Sequence, residues 1–151
     1  MEDSKESFAA VKKWLILAEV QAIIAMSGSL YLSDVRGIVP CELCWFQRIT
    51  LYPQVILYAI ALWRKDMRIY YYSLPLLVLG WLVSLYHNSV YYAAHFIHTA
   101  SPITCRVTGP SCTSHYYAWL GIITIPLLSL IAHSVMIFCM RKLAKQDQKT
   151  T

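Results

Sequence analysis

Trp63-Arg64-Lys65-Asp66-Met67-Arg68-Ile69-Tyr70 is a short charged turn between two long apolar stretches, and its reading decides the fold. Upstream, the residues from about Trp45 to Trp63 are mainly apolar, and so downstream are those from about Tyr70 to Tyr86. A helix needs about 20 such residues to cross ~30 Å of hydrocarbon, so the turn is expected to join two membrane spans. Two further stretches qualify, from about Trp14 to Leu32 and from about Tyr116 to Met140. The expected fold is therefore all-α integral membrane, a four-transmembrane-helix bundle in which residues 1–151 form a single membrane domain. A chain that is 58% hydrophobic and 14% charged fits that class and not an average soluble domain. Eleven Tyr and five Trp suit it too, since these rings favour the membrane–water interface.

Short basic turns stay in the cytoplasm. With Arg64, Lys65 and Arg68 inside, a four-span arrangement also places Lys5, Lys12, Lys13, Arg141, Lys142, Lys145 and Lys149 inside, while only Arg36 and Arg106 fall opposite. Both termini are thus expected to be cytoplasmic, with outer segments at about 33–43 and 87–115. The net charge of +5 is then a topology signal and requires no nucleic acid. Lys12 and Lys13 ahead of the first stretch, with Ser27, Gly28 and Ser29 near its end, could suggest a cleaved signal peptide. Its length, Glu19 and Gln21 within it, and its continuation through Leu30, Tyr31 and Leu32 favour a retained span. Ser89 to Ala100 is aromatic, nearly uncharged and too short to span, and is expected to lie along the interface.

On this topology Cys41, Cys44, Cys105 and Cys112 lie at or beyond the outer face, and Cys139 sits at the inner end of the last span, a bystander. Two outer segments with two cysteines each suggest two disulfides, although four cysteines allow three connectivities. Pro40-Cys41-Glu42-Leu43-Cys44 opens the second span, where free N–H groups and the positive end of the helix dipole favour a thiolate. The spacing alone also suits a structural disulfide or zinc. Arg48, four residues after Cys44, shares its helix face. It either steadies a thiolate and the charge developing on a quinone oxygen, or extends to the headgroups.

Cys105 and Cys112 flank a Gly109-Pro110 turn, and closing such a loop contributes ~2.5 kcal/mol in the chain-entropy account. Alone this pair reads as a staple; facing the first pair, it can form a relay by thiol exchange. His87, at the outer end of the third span, can donate a hydrogen bond or shuttle a proton to a quinone, or simply be solvated. Glu19 and Gln21 are expected to make buried polar contacts, with Glu19 neutral and bonded to a neighbouring helix. A zinc site from Cys41, Cys44, His95 and His98 would lock the thiolates, and no metal is expected.

Cys41-Glu42-Leu43-Cys44-Trp45-Phe46-Gln47-Arg48, four spans and a later outer cysteine pair together resemble the DsbB family of disulfide bond formation proteins, most nearly the short BdbC type of Gram-positive bacteria. The resemblance implies a disulfide-generating thiol:quinone oxidoreductase of the bacterial plasma membrane, its active cysteines extracytoplasmic. It implies that a reduced thioredoxin-like thiol oxidase, of the DsbA or BdbD type, attacks Cys105, with Cys112 as companion. Electrons then pass to Cys41 and Cys44; Cys44 meets the quinone, Arg48 occupies the quinone-site position, and menaquinone or ubiquinone restores the disulfide. The spacing from Cys105 to Cys112 is shorter than in the long Gram-negative proteins, which leaves the order of exchange open. Alternatives are a quinone reductase of the vitamin K epoxide reductase type, in which the Cys-x-x-Cys usually opens the last span, and a non-catalytic scaffold with two structural disulfides. The scaffold leaves Arg48 beside Cys44 unexplained.

Overall fold

A computed structural model describes residues 2–96, 112, 118–119 and 123–150. The first apolar stretch lies in α1 (Glu2–Leu30) and in the π turn (Tyr31–Val35) into which it widens. Arg36 N–H donates to the Tyr31 carbonyl (3.1 Å) and Ile38 N–H to that of Leu32 (3.0 Å), closing the turn. Gly37 follows at φ +67°, a left-handed conformation that a Cβ disfavours. Pro40 keeps Val39 out of the helical region, and the extended Cys41 becomes the N-cap of α2 (Glu42–Arg64). At the far end Lys65 takes the left-handed region, Asp66 N–H donates to the Ala61 carbonyl (2.9 Å), and the Asp66 carboxylate accepts from Arg68 N–H (2.8 Å). The charged turn is therefore tight because its polar groups are bonded locally. A single 3₁₀ turn (Met67–Ile69) leads into α3 (Tyr70–Phe96). Strands β1 (Ala118–Trp119) and β2 (Ile123–Thr124) precede α4 (Ile125–Thr150), where the Thr124 hydroxyl accepts from Leu127 N–H (3.3 Å) as a cap.

Each helix packs against its neighbours in sequence, and α4 returns to α1. The contacts run antiparallel: Trp14 lies edge-on to Phe138, Arg48 reaches Ser29, Tyr58 reaches Ser73, and Tyr70 reaches Asp147 while Trp81 reaches Ser134. Leu15, Leu51, Leu77, Met136, Met140 and Leu143 fill the centre, and large apolar residues such as Ile24, Ile56, Leu79 and Leu82 face outward. An exterior of this kind needs a lipid surround. Three helical segments, Lys12–Val35, Met67–Ala94 and Ile125–Gln148, are long and apolar enough to cross one. The protein is a helical membrane protein.

The second of the expected spans, α2, falls short of that measure because Gln47, Arg48, Thr50 and Gln54 interrupt it. These side chains turn inward: Gln47, Thr50 and Gln54 are buried and Arg48 is half-buried. Inside, Ser73 donates to Gln54 Oε1 (2.8 Å) and Tyr58 to Ser73 (2.7 Å). Thr50 Oγ1 lies 3.2 Å from His133 Nε2, whose Nδ1–H donates to the Ser129 carbonyl (2.8 Å). Polar groups that lipid could not satisfy thus bond to one another, as a membrane interior requires. Glu19 departs from expectation, since its Oε2 is buried without a partner among the described residues.

Two expected boundaries are corrected. The stretch expected to be helical from Tyr116 becomes helix only at Ile125; before it, Ala118 pairs with Thr124 and Trp119 with Ile123 in an antiparallel ladder. The β-branched run Ile122-Ile123-Thr124 favours extended backbone, and Pro126 is suited to a first helical turn. The described residues form a helical protein with this one short ladder. α3 runs past Tyr86, the expected end of the third apolar stretch, to Phe96, and residues 87–96 hold no Gly or Pro to break it.

Candidate functional site

Cys41 at the N-cap and Cys44 three residues on have the spacing of a capping box, which turns two side chains toward each other. Their sulfurs lie 3.1 Å apart as free thiols, so about 1 Å of approach closes a disulfide. His87 enters from α3, only 2% exposed. Its Nε2 lies 3.8 Å from Cys41 Sγ and 3.3 Å from the Cys112 carbonyl, and its Nδ1 lies 3.3 Å from the Gln47 amide. Cys112 is itself buried and disulfide-bonded. His87 is thus not a solvated residue at a helix end; it is wedged between Cys41, Gln47 and Cys112. Cys105 lies outside the described residues, as do His98 and the side chain of His95.

The hydrogen bond from the Cys44 thiol holds Cys41 down to about 4, against the opposing effect of burial, and His87 adds to the lowering through its hydrogen bond and charge. In reduced protein carrying Cys105→Ser and Cys112→Ser, we expect the ultraviolet absorbance of a thiolate to persist from roughly pH 8 to roughly pH 5 and to be lost on acidification through about 4. Because the native value lies below the ordinary 9.0, the stability it lends the reduced fold is present above 9 and declines as the pH falls toward 4. Loss of the absorbance already near pH 8 to 9 would mean an ordinary thiol.

Arg48 reaches across to the end of α1. Its guanidinium donates to the Ser29 carbonyl (3.0 Å) and lies 5.6 Å from the Trp45 ring centroid. The same carbonyl also accepts from the Ser33 hydroxyl (3.3 Å). Between α1, α2 and α4 lies a cavity of roughly 490 Å³. Cys41, Cys44, Arg48, His87 and Cys112 stand in its wall, and Ile24, Leu51, Leu128 and Ile131 supply apolar lining. Gln21, Ser29 and Tyr52 also line it, with Tyr52 donating to Ser29 Oγ (3.3 Å). The sequence reading missed Ser29 and Tyr52 and gave Gln21 only a bundle contact. The signal for Gln21 and Ser29 was the run Gln21, Ala25, Gly28 and Ser29, small or polar at helical spacing on one face of an otherwise apolar helix, and Tyr52 on α2 had none. Cys139 sits apart, in the core.

Thiol–disulfide exchange within a bilayer is the chemistry such an arrangement can perform, and it defines a class of membrane redox proteins. The chain belongs to the DsbB family: the family described as Disulfide bond formation protein DsbB matches residues 11–141. It is similar to Disulfide bond formation protein C of Bacillus subtilis, 42% identical over 127 residues that cover 84% of this chain and 89% of the relative. It is likewise similar to Probable disulfide formation protein of Coxiella burnetii, 43% identical over 125 residues, 82% of each chain. Probable disulfide formation protein C of Bacillus cereus is 39% identical over 138 residues, 91% of this chain and 92% of the relative. No solved structure matches. Membership gives the protein an oxidoreductase role in disulfide formation.

Proposed function

We propose that the protein is a thiol:quinone oxidoreductase that reoxidises an extracytoplasmic thioredoxin-like thiol oxidase and passes the electrons to menaquinone or ubiquinone. The observation that carries this reading is the cavity, whose wall holds both the dithiol and the Arg48 guanidinium. Its volume of roughly 490 Å³ lies within the range of small-molecule sites. Apolar side chains suit an isoprenoid, while Arg48 and Gln47 supply donors for a ring carbonyl. Bound there, a quinone would supply a sink for two electrons and two protons. The balance is one partner dithiol and one quinone giving one partner disulfide and one hydroquinone, the two thiol protons matching the two taken up.

The chain's own residues make the path. A partner thiolate bonds to Cys105 and breaks the Cys105–Cys112 disulfide, releasing Cys112. Cys112, held beside Cys41 through His87, bonds to Cys41 and breaks the Cys41–Cys44 disulfide. Cys44 is freed as a thiolate on the helix turn that carries Arg48. The partner's second thiol displaces Cys105, which re-forms its bond with Cys112 and leaves Cys41 and Cys44 reduced. Closing their disulfide releases two electrons and two protons. In this reading α2, 23 residues and so ~34 Å long, is a fourth span; both termini are cytoplasmic and the cysteines face outward in the plasma membrane. The antiparallel order of the helices and the one-sided distribution of Lys and Arg support it.

Anaerobic turnover of the detergent-purified protein tests the reading, following quinone absorbance with a reduced thioredoxin-like oxidase as donor. Quinone reduction is expected only when donor, protein and quinone are all present. Folded protein that reduces neither menaquinone nor ubiquinone analogues with any such donor would sink the reading and leave a scaffold with structural disulfides.

A further inference from the structure

Cys41 Sγ, Cys44 Sγ and a ring nitrogen of His87 all lie within 4.8 Å of one another. We propose that the reduced protein binds one zinc ion, or another borderline-soft divalent cation, at these three residues, and that the ion halts disulfide formation. Tetrahedral zinc, at ~2.3 Å from sulfur and ~2.0 Å from nitrogen, needs its donors roughly 3.5 to 3.8 Å apart. The sulfurs stand 3.1 Å apart and Nε2 stands 3.8 Å from Cys41, so small side-chain movements complete the geometry. Cys41 and His87 are buried, and half-buried Cys44 stands in the cavity wall, which supplies an entry path.

The surroundings suit ligation. His87 Nε2 now faces the Cys112 carbonyl (3.3 Å) and Nδ1 faces the buried Gln47 amide (3.3 Å); ligation exchanges the tautomer, with Nε2 leaving that carbonyl for the metal and Gln47 turning its amide oxygen to an Nδ1–H, the kind of outer contact that orients a ligating imidazole. Three protein donors leave a fourth position toward the cavity, open to water. The histidines weighed from the sequence, His95 and His98, are not required. Binding exchanges two thiol protons for the ion, with no electron transferred, whereas disulfide formation consumes both thiolates. Metal and disulfide therefore exclude each other, and only the reduced enzyme is caught.

Binding stands without the quinone reading; only the inhibition rests on it. The full chain, free of any affinity tag, is reduced with a non-chelating phosphine, freed of reductant anaerobically and titrated with cobalt(II) as a spectroscopic probe, then with zinc. Reduced wild type is expected to show a thiolate-to-cobalt charge-transfer band that saturates at one equivalent and is bleached by zinc. Cys105→Ser/Cys112→Ser keeps the band, while His87→Ala and Cys44→Ser lose the tetrahedral spectrum. Gln47→Leu weakens binding by about 10- to 100-fold. No band in the reduced protein, the same band in the oxidised protein, or an unchanged spectrum in His87→Ala would each overturn the proposal. The oxidised wild type keeps the test decisive should His87→Ala fail to fold. Zinc is expected to stop turnover in parallel with bleaching; saturation of the site with turnover unchanged would overturn the inhibition alone.

Discussion

Cys44→Ser is expected to lower quinone reduction by about a thousandfold or more, about 4 kcal/mol in activation free energy. The sulfur is lost at the junction of dithiol and cavity, and a serine hydroxyl neither ionises near neutral pH nor closes a disulfide. Cys41 remains as a free thiol in the variant and its thiolate can attack Cys112, breaking the Cys105–Cys112 disulfide and releasing Cys105 as the thiol, so a Cys41–Cys112 disulfide should accumulate and appear on non-reducing gels after cleavage between the two segments. Arg48→Ala is expected to cost about 10²- to 10³-fold, as loss of one preorganised donor toward developing negative charge does elsewhere. Cys139→Ser, a core change away from the site, should retain turnover. Full activity in Cys44→Ser would remove that cysteine from the electron path.

Gly80→Ala is expected to destabilise the bundle by about 3 kcal/mol, at the upper end of ordinary overpacking. A Cβ at Gly80 would overlap the His133 imidazole and the Thr50 hydroxyl, which are hydrogen-bonded to each other where α2, α3 and α4 meet. Neither neighbour is a flexible chain end, so the helices must separate or the buried hydrogen bond must break. Thermal unfolding in detergent, followed by labelling of the buried Cys139 thiol in oxidised protein, reads the shift. Gly28→Ala is the control: nothing lies within 4 Å of its Cβ, and replacing a helical glycine gains about 0.5–1 kcal/mol. Equal melting of the two variants would refute the close approach at Gly80.

The residues around Cys41 show how far the sequence could be read. Cys-x-x-Cys at a helix start is a local pattern, because its N-cap and third position converge in any regular helix. The facing of Arg48 toward Cys44 is local too. His87 was visible as a candidate, yet its burial was not, because nothing within α3 announces that Cys112 and Gln47 close over it from other segments. The grouping of His87 with the two thiols is of the same kind, since it is near them in space and far from them in sequence.

Hydropathy and basic residues alone determined a membrane bundle with a tight charged turn, since lipid requires long satisfied helices and Lys and Arg resist translocation. Family membership was legible from eight consecutive residues and their setting. Only the tertiary structure decided that the polar stripe of α2 faces inward, that α4 starts at Ile125, and that Gln21, Ser29 and Tyr52 share a cavity with the dithiol. These depend on which helix lies opposite which. That is set by packing between residues distant in the chain, such as Gly80 against Thr50 and His133, and local periodicity carries no record of it.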